Sequence, residues 1–502
     1  MTTRAVLLAL LLGAGSNGQL KAQGYRLRLD TRAQAVGFRG VQIDSIAVGD
    51  TVSGPGGGPA TPDGFAVSCS GGAPFCTYFR PGPARRGAPL VTTADLTMWG
   101  FGVRGVSAHA TARAGVDLGN ADVWPGTDPA LQLLAGYVEY AAERVTARAG
   151  RQTTFSRLGA TGFDGASITL RDGRRGIEAS GYAGWGLARG VALPITSPAL
   201  NPLDDFQPRQ RQLVAGLGAA WSAAVADLRA DYMREVDPRS NYFVSERIGL
   251  SAAVRPAPGW SVAGGADYDM AAGWWGSAEI AVGYARRAVS ASLGARRYRP
   301  HFDLWTIWGA FSPVPYHATQ AQVAVQALPQ VQLRARGEWY RFENSETATP
   351  LVDVVGSGWR GEIGFTARPA AGWTFDGGYE REYGPGASSA GASATATYSP
   401  VATWRVMVHA ATLDRPLEFR YAESVLQVYG IEAEADPRPR LRVAFGATRY
   451  VDDHRRPDAA GFDWGQWRLT LRAILTFGRG GGDELGGLPP AVRRMPGGGA
   501  AR

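Results

Sequence analysis

Arginine is the residue type through which this chain would do its chemistry. Basic residues number 52 against 44 acidic ones, and Lys21 is the single lysine, so nearly all the positive charge is guanidinium. The arginines are not gathered into a patch. They recur at every second position of short stretches: Arg26, Arg28 and Arg32, with Asp30 and Gln34, alternate with Tyr25, Leu27, Leu29, Ala33 and Ala35. Gln332, Arg334, Arg336, Glu338 and Tyr340 alternate in the same way with Val331, Leu333, Ala335, Gly337 and Trp339. Guanidinium groups spaced along a wet surface attract and orient anions by fixed charge, without a covalent step. A nucleic-acid reader would concentrate them on one face beside a recognisable motif, and none is present.

Other chemistry finds no constellation. The five histidines, His109, His301, His317, His409 and His454, are scattered. No spacing assembles a nucleophile, a base and an orienting partner, so the sequence reads as a non-enzyme. Gly54–Gly58 lacks the Lys-Ser/Thr and helix of a phosphate loop. Cys69 and Cys76 stand in a Gly/Pro/Ser-rich stretch with no further ligands nearby, which predicts a local disulfide rather than a metal site. No cofactor is implied; in particular there is no Cys-x-x-Cys-His for haem.

The elements that must position these arginines have a period of two. From Trp467 to Phe477 one face carries Trp467, Leu469, Leu471, Ala473, Leu475 and Phe477, the other Arg468, Thr470, Arg472 and Thr476, with Ile474 as the exception. Such alternation is a strand between an apolar medium and water, and about eleven residues with an aromatic at each end suits a tilted bilayer crossing. This stretch looks like the closing strand of a bacterial outer-membrane β-barrel, except that a Gly/Pro-rich tail follows Phe477. Trp359, Ile363 and Phe365 oppose Arg360, Glu362 and Thr366; Leu228, Ala230 and Tyr232 oppose Asp227, Arg229 and Asp231. Mean hydropathy is −0.14, and past the N-terminus no apolar run reaches the roughly eighteen residues of a membrane helix.

Short turns near Ala141–Arg144, Asp172–Arg175, Leu328–Gln330 and Asp436–Arg440 alternate with longer connections near Gly119–Pro129, Thr154–Gly162, Ala188–Arg209 and Asn344–Asp353. Counting them predicts an all-β, transmembrane antiparallel barrel of about 22 strands, within 18 to 24, with short periplasmic turns, long extracellular loops and both termini periplasmic. Residues 1–22, with Arg4 before an apolar core, read as a secretory signal peptide. Residues 23–479 form the barrel, 38–89 a long extracellular loop holding the disulfide, and 480–502 a disordered periplasmic tail. Trp260, Trp373 and Trp404 each follow a short turn, where an interfacial aromatic girdle belongs.

Tyr298–Tyr316 is the loop most suited to narrowing the pore. Arg296, Arg297 and Arg299 open it, and Trp305 and Trp308 are among aromatics too apolar to lie in water. Gly150-Arg151-Gln152 at one strand end and Phe163-Asp164-Gly165 at the start of the next resemble an element of porins and alginate-export-type barrels. That resemblance implies Arg151 and Asp164 facing each other at the pore. The expected pore-lining set is therefore Arg26, Arg28, Arg32, Arg151, Asp164, Arg296, Arg297, Arg299, Arg334, Arg336, Glu338, Trp305 and Trp308.

The reading is a channel of the bacterial outer membrane for passive diffusion of small polar, chiefly anionic, solutes. Its partners are lipid and solute, not nucleic acid, with room for a homo-oligomer or a periplasmic partner. Alternatives are a barrel that sheathes or exports a partner, as an electron-transfer conduit or polysaccharide exporter does, and a structural barrel with no open pore. A TonB-dependent receptor matches the strand number, but its plug domain finds no counterpart here.

Overall fold

The computed structural model describes residues 24–54, 57–119, 130–187, 212–238, 242–299, 315–343, 356–384, 387–415, 424–454 and 463–479. The signal-peptide reading, the tail 480–502, the whole of Ala188–Arg209, and Trp305 and Trp308 lie outside them.

Every transmembrane strand is antiparallel to its sequence neighbour, and the strand Gly24–Ala47 pairs with both Pro89–Trp99 and Trp464–Arg479. The result is a closed barrel of 22 strands. Closure satisfies each backbone donor and acceptor inside the sheet, which a hydrocarbon environment demands, and leaves no edge. At the seam the register sets Leu27 opposite Phe477, Leu29 opposite Leu475 and Ala33 opposite Leu471, while Arg28 meets Thr476 and Arg32 meets Arg472. A slip of one residue would turn the arginines into lipid, so the alternation itself fixes the register.

The outer face is apolar. Leu217 at 65%, Ile363 at 61% and Leu293 at 60% are among many large apolar side chains exposed there. A continuous apolar belt of this kind is the surface of a barrel embedded in lipid. Two aromatic rows bound it. Trp339, Trp359 and Tyr383 are cross-strand neighbours near the long-loop end. Trp373 stacks on Tyr398, which meets Trp404 edge-on, near the short-turn end, with Trp260 against Tyr284 further round. From Trp373 to Tyr383 the strand climbs ten residues, or about 25 Å of membrane depth at a strand tilt of about 40°. The molecule is thus an outer-membrane type of barrel, with hydrocarbon outside and a polar lumen.

Two expectations about connections are corrected. Residues 38–89 are not simply a loop. Val36–Ala47 continues the first strand beyond the rim and pairs with Phe75–Gly87 in a two-stranded ribbon. Of the prolines in this segment, Pro81 and Pro83 fall at the ribbon's one register shift, opposite Arg39 to Val41, where they interrupt the ladder without breaking it. The disulfide Cys69–Cys76 forms as expected, joining the short strand Val67–Cys69 to this ribbon with a Cα–Cα distance of 4.2 Å. Thr154–Gly162 is not a long connection either: only Arg157 and Leu158 separate the strands Val145–Ser156 and Gly159–Asp172.

Candidate functional site

The lumen wall is built from the polar half of each alternating strand. Its arginines are matched to carboxylates, some across the ladder and some, as for Arg28 and Arg229, two residues along the same strand. Arg472 reaches over the closing seam to Asp30 with an Nε bond of 2.8 Å, and Arg28 lies 3.6 Å from the same carboxylate. Arg148 meets Glu139 at 2.6 Å, Arg171 meets Glu178 at 2.9 Å, and Arg229 meets Asp231 at 2.9 Å. Arg334 sits 3.5 Å from Glu362, and Arg405 sits 3.2 Å from Glu434. Pairing keeps many charges on a confined surface without large mutual repulsion, and leaves donors facing the pore.

The densest arrangement centres on Glu338, whose side chain has no exposed area. Arg296 donates to it at 2.8 Å and Arg360 at 2.5 Å. The Arg296 guanidinium lies 5.5 Å from the Tyr316 ring and that of Arg360 lies 5.9 Å from Tyr340. Tyr298, Tyr316, Tyr340 and Phe342 form an aromatic group above, with centroids 5.4 Å apart for Tyr298–Tyr316 and 5.6 Å for Tyr340–Phe342. Tyr340 donates its hydroxyl hydrogen to Glu382 at 3.0 Å. Charge and ring faces together suit a polar solute that carries both an anionic group and an apolar edge.

A second feature narrows the mouth. The tip of the Val145–Ser156 and Gly159–Asp172 hairpin folds against the inner wall. Thr161 contacts Met233, Leu158 packs beside Gly249, and Arg157 crosses Gly265 to donate to Glu279 at 2.9 Å. Glycine is required at that wall: a Cβ at Gly265 would lie 2.5 Å from the Arg157 guanidinium and 2.5 Å from the Leu250 carbonyl. Leu158, Phe163, Val214 and Met233 form a buried apolar cluster, with Tyr182 packed on it, that anchors the tip. Below it, Gly150, Gly165 and Gly184 are directly paired neighbours, and a Cβ at Gly165 would meet the Ala183 carbonyl at 2.1 Å. This glycine row lets the sheet bend where the hairpin turns inward.

Strand register places the expected residues as follows. Arg26, Arg28 and Arg32 share the face of Asp30, and Arg296, Arg334, Arg336 and Glu338 share one inner face. Arg297 does not join them. It lies opposite Ala278 and His317 on the outer face, where its Nε donates to Glu343 at 2.7 Å. Being next to Arg296 in a strand, it must point the other way. Its two hydrogen bonds hold the Glu343 carboxyl, above the strand end, below the ordinary range. Arg151 and Asp164 are also corrected. They form a two-bond ion pair of 2.7 and 2.9 Å directly across the ladder, but alternation puts them with Ile168, Leu170 and Trp185 on the outer face. Arg299 stacks its guanidinium 3.6 Å from the centroid of the Trp274 ring. Arg157, Glu279 and the Phe163 cluster were not expected from the sequence; the glycines at 249 and 265, on the polar side of otherwise regular strands, are the signal that points to them.

Among the described residues no group of His, Cys, Asp and Glu is arranged to hold a metal ion. No family model and no curated protein matches the chain. Solved structures that resemble it include the copper transporter OprC, with 12% identity, a TM-score of 0.47, and coverage of 92% of this chain and 82% of that one. A BenF-like porin from Pseudomonas fluorescens Pf-5 has 10% identity, a TM-score of 0.41 and coverage of 90% and 99%. OccK3 (OpdO) of Pseudomonas aeruginosa has 9% identity, a TM-score of 0.38 and coverage of 90% and 96%. At such values the functional reading rests on this chain's own residues.

Proposed function

We propose that the chain is a passive outer-membrane channel for small polar solutes, with anions entering more readily than cations. The observation that carries this is the lumen face: an arginine and carboxylate lattice inside a closed sheet whose outside is apolar. Solute would enter past the Arg157–Leu158 hairpin tip and move along the Arg296–Glu338–Arg360 patch, exchanging water for guanidinium contacts. Residues 300–314 of Tyr298–Tyr316, the loop expected to narrow the pore, lie outside the described residues; Tyr298 and Tyr316 at its ends stand over the same patch. The anion bias is supported by Arg26, Arg28, Arg32, Arg468 and Arg472 on two adjacent strands, where Asp30 is the acidic residue on that face. Elsewhere carboxylates balance the arginines, so the bias is modest. Arg26, Arg28, Arg32, Arg334, Arg336 and Glu338 are the proposed pore-lining residues, with Arg296.

Swelling of liposomes that contain the purified protein tests this. Entry of small anionic and neutral polar solutes is expected, and no entry of any solute would overturn it. A second reading follows from width. A ring of 22 strands is about 40 Å across at the backbone, room for a partner chain. Co-purification of a cofactor-bearing protein, with no solute flux, would favour a sheath.

A further inference from the structure

The outer face carries a groove that the channel reading does not use. It encloses about 1340 Å³ and is almost wholly apolar along its floor. The register shows how it arises. Ala230, Leu250, Ala266, Ala278, Arg297, His317 and Arg341 are consecutive cross-strand partners on seven neighbouring strands. The first four are apolar, three of them alanines. The last three are polar and stand at the long-loop end, just past the girdle residue Trp339, which closes one side. The row runs across tilted strands, so it climbs from mid-membrane to the extracellular interface. From Ala230 to Arg297 it measures about 19 Å at the spacing of neighbouring strands.

The two ends ask for different chemistry. Ala266 and Ala278, flanked by Leu250, Ile280 and Trp339, leave a trough that one hydrocarbon chain can fill. At its head Glu343 accepts from Nε and one Nη of Arg297, and lies 2.8 Å from His317. The remaining N–H groups of Arg297 and the exposed Arg341 guanidinium stay available. Two guanidinium groups against one carboxylate leave the head cationic, before any charge on His317.

We propose that this groove binds one acyl chain of a phosphorylated outer-leaflet lipid, whose phosphate is held by Arg297, His317 and Arg341. The face already meets lipid, so the occupant is drawn from the membrane. The cationic end selects the phosphorylated lipids of the extracellular leaflet over uncharged ones. The groove faces away from the lumen, so the proposal shares with the channel reading only the barrel's orientation in the membrane.

Native mass spectrometry of the intact barrel in micelles, titrated with lipid A or with an uncharged diacylglycerol, tests it. Wild type is expected to hold one lipid A. Ala278→Trp and Ala266→Leu, which fill the trough, should each weaken retention of lipid A by at least about tenfold. Arg341→Ala should weaken lipid A several-fold and leave diacylglycerol unchanged. Solute flux should be unchanged in all three, and their heat-modified gel migration verifies folding. Equal lipid A retention by wild type and both filled variants would overturn the proposal. So would lipid-free dimers that Ala278→Trp abolishes, which would assign the groove to a second copy. No flux through the wild type, with lipid selectivity intact, would sink the channel reading alone.

Discussion

Glu338 and Arg157 show most clearly what single residues contribute. Glu338 is buried between two guanidinium groups that are themselves partly open to the lumen. Glu338→Ala leaves both unpaired, and lumen water offsets part of the loss, so we expect a destabilisation of about 1–3 kcal/mol in denaturant unfolding of the micelle-bound barrel. Glu338→Gln should cost less, because it keeps an acceptor. Arg157→Ala removes the tether to Glu279. Single-channel recording of that variant should show a larger or noisier conductance than wild type; an unchanged trace would mean the hairpin does not limit flow. Residue roles were legible in the sequence where alternation was read strictly, as for Arg334, Arg336 and Glu338. They were misassigned where closeness in sequence replaced parity. Arg296 and Arg297 cannot face the same way in one strand, and the Arg151–Asp164 pair took its expected place from a resemblance rather than from counting outward from Ile168.

At the scale of elements, the strands were legible because a membrane strand must carry its apolar and polar residues on fixed opposite faces. The ribbon formed by Val36–Ala47 and Phe75–Gly87 was not, since it stands in water on both faces and need not alternate. Its disulfide closes a short loop at the ribbon's end. Cys69→Ser should therefore cost about 2 kcal/mol locally, seen as faster proteolysis between residues 48 and 74, while barrel unfolding stays unchanged. Coupled loss of the barrel would contradict the separation of ribbon from wall. The ribbon also has a pH dependence. The Ser45 amide, together with Arg80, holds the Asp44 carboxyl below its ordinary value. These contacts contribute above the unfolded carboxylate pKa and are lost as pH falls through the lowered one. Hydrogen exchange in the ribbon should rise on acidification past the carboxylate range while the wall remains protected. The inward hairpin escaped the sequence for a different reason: its anchor is made by strands distant in the chain, so that nothing local at Arg157 or Leu158 marks it.

For the whole molecule, the strand number and the alternation of short and long connections follow from counting, since closure admits few solutions once the apolar faces are assigned. The charge of the lumen does not follow from counting. The formal net charge of +8 suggests an anion pathway, whereas the folded wall pairs many of its arginines with nearby carboxylates. The central claim is that solvent, and solute with it, crosses through the middle of this barrel. Conductance of the purified protein in a planar bilayer between unequal KCl solutions measures it most directly. The account predicts discrete channel steps with a reversal potential shifted modestly toward anions. A sealed bilayer at protein loadings that insert barrels, or a reversal potential on the cation side, would contradict it.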